Sequence, residues 1–209
     1  KDGKLNEVNA DKVLMAVGMR PNTEGFEQLG LEITKQGIKT NEKLETNIKG
    51  IYAIGDVNGK IMLAHVASAE GIVAIENIMG KNSKMDYAKV PSGIYGMPEI
   101  AQIGLTEQEA KAKNIDYKVS KFPLVASGKS LAEGETEGFV KIIAEKKYNE
   151  IIGVHILAPH ATDLISEISV LMELEGTAYE LAKAIHPHPT LSEILMEAAH
   201  GIIDKPIHI

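Results

Sequence analysis

The sequence predicts an α+β fold, and three observations carry that expectation. Beyond about residue 90 the β-prone stretches come first and the helical stretches after them, the grouping that argues for an α+β unit. Three helix starts there share one signature, a Thr followed three residues later by Glu: Thr106/Glu109, Thr177/Glu180 and Thr190/Glu193. Hydrophobic residues make up 44% of the 209, enough to build a buried core.

The elements follow in order. Residues 1–9 read as a polar hairpin arm, and 12–17 (KVLMAV) as a short buried strand closed by Gly18 and Arg20-Pro21-Asn22. Over 31–40 two β-prone stretches meet at Lys35-Gln36-Gly37, and 51–54 (IYAI) reads as a buried strand ending at Gly55-Asp56. A helix is expected over 63–79, stopped by Gly80, with Ala67, Gly71 and Ile75 forming a face suited to close approach. A polar stretch and Val90-Pro91 place a boundary near residue 88. Beyond it come strands at 100–104 and 117–122, a hairpin of 138–144 and 150–157 turning at 146–149, and a helix over 162–175. Leu164, Ile168, Leu171 and Leu174/Glu175 trace that helix's expected stripe, and Gly176 ends it.

Composition removes several classes of function. A net charge of −7 disfavours nucleic acid and anionic membranes as partners, because both need a cationic surface. No apolar run reaches the ~20 residues of a membrane-spanning helix. The chain has no cysteine, so it cannot itself supply a disulfide, a cysteine–zinc site or a thiol nucleophile. The histidines at 155, 160 and 200 follow no zinc spacing, and no metal site is expected. Neither G-x-G-x-x-G nor a P-loop occurs, so any dinucleotide must find its phosphate-binding turn elsewhere.

Three constellations remain that suit chemistry. Asp56 ends a strand shortly before a helix, where an acid can bind a polyol; it can equally cap a turn. Met62, Leu63, Ala64 and His65 open the helix, where unpaired backbone N–H groups can face an electron-rich ring, although His65 can also be an ordinary polar first-turn residue. The stretch His186-Pro187-His188-Pro189-Thr190-Leu191-Ser192-Glu193 carries the most information. Each proline biases the residue before it toward extended angles, which presents an imidazole rigidly and suits a general base. Glu193 can reach back to His188 and fix its tautomer, and Thr190 with Glu193 also matches a capping box.

In this order the residues resemble the pyridine nucleotide-disulfide oxidoreductases, most closely their dihydrolipoamide dehydrogenase branch. The matching runs are AVGMRPNTE (16–24), GIYAIGDV (50–57), MLAHVASAEGIVAIENI (62–78), KVSKFPLVASGKSLAEGETEGFVKII (118–143), IIGVHILAPHATDLISE (151–167) and HPHPTLSEILMEAA (186–199). The HPT-x-x-E element alone would also admit glutathione reductase; the KFP, TEGFVK, GVHIL and HPTLSE series favours the lipoamide branch.

The resemblance implies three parts: 1–22 as the end of an NAD-binding domain, 23–88 as a central segment completing an FAD site, and 89–209 as an interface domain that pairs two subunits. It implies that Asp56 and Met62 to His65 contact FAD. It also implies that His188 is the active-site base with Glu193 its partner, and that His186 supports them. The implied reaction oxidises dihydrolipoyl groups with NAD+ through FAD and a redox disulfide absent from this chain, which alone is expected to be inactive. A homodimer, lipoyl groups of a 2-oxo acid dehydrogenase or glycine cleavage complex as partners, and a cytoplasmic location complete the expectation. A stand-alone dimerisation module without catalysis is the competing reading.

Overall fold

The computed structural model describes residue 3 and residues 5–209, so part of the arm expected over 1–9 lies outside the described residues. The chain divides into two compact units, Lys1–Met85 and Asp86–Ile209.

In the first unit β1 (Ile33–Thr34) and β2 (Gly37–Ile38) form the expected small antiparallel hairpin. The helix α1 (Ala64–Ile78) also forms, burying Val66, Glu70 and Ala74. The small-residue face does permit close approach: a Cβ at Gly55 would lie 3.1 Å from Ala67 Cβ, and one at Gly71 would lie 3.5 Å from Ile54 Cδ1. Ile75, assigned to the same face, is 59% exposed.

Two strand expectations in this unit fail. Residues 12–17 adopt no strand, and Val13, Leu14, Met15 and Val17 are all at least 80% exposed except Met15 at 75%. A strand exists only through a ladder, and among the described residues nothing pairs with this run. Residues 51–54 make a single bridge, Tyr52 to Glu45, and pass into a 3-10 turn over Gly55–Asn58, leaving Ile54 exposed.

The second unit is the predicted α+β structure. Its five strands are β3 (Ser92–Ile94), β4 (Glu99–Gly104), β5 (Tyr117–Pro123), β6 (Phe139–Glu145) and β7 (Ile151–Ala158). They form one antiparallel sheet in the order β3-β4-β7-β6-β5. Alternation turns Ala101, Ile103, Phe122, Val140, Ile142, Val154 and Ile156 into the core. The helix α4 (Ala161–Glu173) packs against β4 and β7, and α6 (Glu193–Ile203) against β5 and β6, with α5 (Ala178–Lys183) beside it. Two shorter helices, α2 (Glu107–Ala112) and α3 (Gly128–Glu133), fill the connections.

The capping boxes at Thr106/Glu109 and Thr177/Glu180 both form, each hydroxyl and carboxylate closing the other's backbone N–H. The stripe of α4 differs from the expected one. Ala161, Ile165, Ile168 and Met172 are buried, Leu164 and Leu171 flank them, and Leu174 is 74% exposed. Apolar residues at both 164/171 and 165/172 allow either register, and the sheet selects the second. Gly176 closes the helix by donating its N–H to Leu171 O at 2.8 Å, and a Cβ there would lie 2.2 Å from Leu171 Cδ1.

Candidate active site

Between α5 and α6 the chain crosses residues 184–192 without regular structure. Pro187 and Pro189 have no N–H to donate, so this crossing depends on side chains for support. His188 lies within it with its side chain 76% exposed and its Nδ1 2.9 Å from Glu193 Oε1. A carboxylate accepts only, so Nδ1 carries the hydrogen, and in the neutral ring Nε2 has the lone pair. Among the described residues no hydrogen bond engages that Nε2.

Glu193 performs two tasks with two oxygens. While Oε1 holds His188, Oε2 accepts the backbone N–H of Thr190 at 2.8 Å. The expected capping box is therefore half made. The Thr190 hydroxyl donates to Pro187 O and lies 2.8 Å from Ser192 Oγ, and the helix begins at Glu193 after Ser192. Burial pushes the Glu193 carboxyl up, but the Thr190 N–H, the His188 hydrogen bond and the charges of His188 and His208 outweigh it, holding it below the usual carboxylate range. Glu193 is thus an anion at neutral pH.

His186 has a different character. Its side chain is only 6% exposed, with Nδ1 2.9 Å from Ala184 O and Nε2 2.8 Å from Glu167 Oε1. Both ring nitrogens face acceptors, so neither is open to a substrate proton. The geometry separates the two histidines, one open and one locked.

His188 and Glu193 line a cavity of about 350 Å³ with Phe122, Leu131, Glu197 and His208 among its other walls. The last two were not found by sequence reasoning. Glu197 is 3% exposed, and its carboxylate accepts Ile207 N at 2.7 Å and pairs with His208 Nδ1 at 2.5 Å, which brings the C-terminal residues to the cavity. A Glu on the apolar face of α6 is the one sequence signal that could have drawn attention to it.

In the first unit, Asp56 is exposed within the 3-10 turn that follows Ile54. The buried Glu70 organises that turn, accepting Gly55 N at 2.6 Å and Asn58 Nδ2 at 2.9 Å. Leu63 is the extended residue before α1 and offers no side-chain cap, Met62 is half-buried, and Ala64 and His65 are exposed on the first turn. Asp56 and residues 62–65 thus lie in one unit, and His186, His188 and Glu193 in the other. Among the described residues no group of three or more His, Cys, Asp or Glu side chains could hold a metal ion, and no helix is long and apolar enough to cross a membrane.

Comparison with known proteins agrees with this architecture. Residues 90–199 match the family model for the pyridine nucleotide-disulphide oxidoreductase dimerisation domain, and residues 1–71 match the model for pyridine nucleotide-disulphide oxidoreductases. A dihydrolipoyl dehydrogenase of Bacillus subtilis is 47% identical over 214 residues, covering 100% of this chain and 44% of the relative. A mitochondrial dihydrolipoyl dehydrogenase of Pisum sativum is 43% identical, covering 99% of this chain and 42% of its own length. The crystal structure of LpdA from Mycobacterium tuberculosis superposes with a TM-score of 0.85 at 30% identity, over 90% of this chain and 42% of that one. The flavoprotein disulfide reductase RclA of Escherichia coli shares the fold with a TM-score of 0.80 at 22% identity, over 88% of this chain and 44% of that one. The chain spans less than half the length of these relatives. By the match of its dimerisation domain over residues 90–199, it belongs to the pyridine nucleotide-disulphide oxidoreductases.

Proposed function

We propose that this chain is the C-terminal part of a dihydrolipoamide dehydrogenase, acting as a homodimer in which His188 is the base that receives a thiol proton from a dihydrolipoyl group. The observation that carries the reading is the 2.9 Å contact between His188 Nδ1 and Glu193 Oε1, which leaves Nε2 available beside a cavity. Glu193 stabilises the imidazolium that forms on proton uptake and holds the ring still, two contributions of a carboxylate behind a catalytic histidine. His186, with both nitrogens engaged, supports and does not titrate substrate. The 2-oxo acid dehydrogenase or glycine cleavage complex would present the lipoyl group, and the cytoplasm is the proposed location.

Asp56 and residues 62–65 are the proposed contacts of FAD. The uncapped first turn of the 15-residue α1 fits an electron-rich ring edge, and the exposed Asp56 carboxylate fits a polyol hydroxyl. When bound, FAD supplies a two-electron relay between a dithiol–disulfide pair and NAD+. The sequence has neither a G-x-G-x-x-G turn nor a cysteine, so NAD would be held mostly by residues outside this chain, and the disulfide entirely so. We propose 1–22, 23–88 and 89–209 as parts of the NAD, central and interface domains.

The test joins this sequence to a flavin domain carrying the cysteine pair and measures NAD+-dependent oxidation of dihydrolipoamide. Activity that falls by roughly two to four orders of magnitude in His188→Gln is the expected result. Turnover by the joined protein that His188→Gln leaves intact would remove His188 from the mechanism.

A further inference from the structure

We infer that Glu167 is a positioning residue for His188, acting through His186. The inference rests on the proposed role of His188 as base.

The crossing from α5 to α6 is held at its two ends. Upstream, Ala184 N donates to Glu180 O; downstream, Thr190 N donates to Glu193 Oε2. Between them Ile185, Pro187, His188 and Pro189 are exposed, Ile185 at 98%. His186 is the residue of this run turned inward. Its Nδ1 closes a local bond to Ala184 O, and its Nε2 makes the long-range bond to Glu167 Oε1, nineteen positions earlier in the chain. Among the described residues this is the hydrogen bond that ties residues 185–189 to an element other than α5 and α6.

Glu167 is a sound anchor because α4 is packed on β4 and β7, the middle of the sheet, through Ile165 and Ile168 on the opposite side of the same turn. His186 and His188 are two residues apart, and Pro187 between them has a fixed φ. Displacing the His186 ring therefore displaces the His188 backbone. The His188 ring has its own hold on Glu193, but a backbone that drifts lengthens that 2.9 Å bond. Glu167 and Glu193 thus act as a pair: one sets where the His188 backbone lies, the other how its ring is turned. Effects of about ten- to a hundred-fold on turnover are in the range that a misplacement near 1 Å produces.

Two measurements separate this inference from the reading on which it rests. In the 209-residue chain, the ring-nitrogen NMR signals of His188 report its tautomer at a pH where it is neutral. The wild type is expected to show the Nδ1-protonated form, Glu167→Ala a mixture of tautomers, and Glu167→Gln, which keeps an acceptor oxygen, a state between them. In the flavin-containing enzyme, Glu167→Ala is expected to lower kcat for dihydrolipoamide about ten-fold or more with KM little changed, and Glu167→Gln to recover part of it. Oxidation of NADH by ferricyanide, which involves no thiol proton, is expected to stay at the wild-type rate. An unchanged His188 tautomer in Glu167→Ala overturns the inference, as does a parallel loss of both activities, which would make Glu167 a general structural residue. A wild-type enzyme that ignores dihydrolipoamide overturns the proposed function instead, and the NMR result still decides the role of Glu167.

Discussion

His188 Nδ1 lies 2.9 Å from Glu193 Oε1 while the other oxygen of the same carboxylate, Oε2, lies 2.8 Å from Thr190 N. One side chain therefore orients the proposed base and closes the entry to α6. Glu193→Gln retains an oxygen acceptor but can satisfy only one of the two donors with it, and its amide N–H₂ would face the other. The expected result is loss of the fixed His188 tautomer together with about 1–2 kcal/mol of stability, the usual cost of a lost cap or charged hydrogen bond. Urea unfolding gives the second quantity and ring-nitrogen NMR the first. A variant with wild-type values for both would mean that this carboxylate serves neither task.

The pH dependence of stability has an identifiable contributor in His155, on β7 between Gln102 of β4 and Lys141 of β6. Both of its ring nitrogens are buried without a hydrogen-bond partner among the described residues. Burial lowers its pKa, Lys141 lowers it further, and the charges of Glu109 and Glu107 oppose them without reversing the direction. A histidine whose folded pKa lies below the unfolded value of about 6.5 binds protons more readily when unfolded. Its contribution is fully present above the unfolded pKa and is lost as pH falls toward and through the folded one. His155→Leu is therefore expected to flatten the decline of the thermal midpoint below about pH 6.5. An acid limb identical to that of the wild type would assign the dependence to other groups.

Where sequence reasoning succeeded, one local rule governed. The hairpin of β6 and β7 follows from period-two alternation, and Thr106/Glu109 and Thr177/Glu180 close within four residues. Where it failed, a distant partner decided. Residues 12–17 have the composition of a buried strand but no ladder among the described residues, and the stripe of α4 differs by one position because the sheet selects between two apolar registers. Thr190/Glu193 has the spacing of a capping box, yet the hydroxyl is taken by Pro187 O. His186, His188 and Glu193 were legible because they are neighbours in sequence; Glu167 and Glu197 were not, since each finds its histidine only after folding. The strand β3 and helix α3, at three and six residues, were too short to show a period.

Close backbone approach sets another expectation at the joint of β4 and β7. Gly104 pairs with Gly153, and a Cβ on Gly153 would lie 2.0 Å from Leu105 O. That oxygen belongs to the backbone and moves only if the strand moves. Gly153→Ala is expected to destabilise the second unit by about 1–3 kcal/mol, the range for overpacking a close-packed interior. A thermal midpoint within a degree of the wild type would mean that the two strands separate there at little cost.

The C-terminal residues provide the last test, because their attachment depends on a carboxylate inside the core. Glu197 accepts Ile207 N at 2.7 Å and pairs with His208 Nδ1 at 2.5 Å, and it is 3% exposed. Glu197→Ala removes the acceptor of both and opens a small void beside Ile194 and Ala198, both fully buried on the same helix. The expected consequence is rapid hydrogen exchange over residues 204–209 and a widened cavity next to His188, with α6 still protected by its contacts to β5 and β6. Glu197→Gln keeps an acceptor for Ile207 N and is expected to retain part of the protection. Exchange at 204–209 that is unchanged in Glu197→Ala would mean that the tail is held by something other than this carboxylate. Loss of protection throughout α6 would mean that Glu197 supports the helix itself and not only the tail.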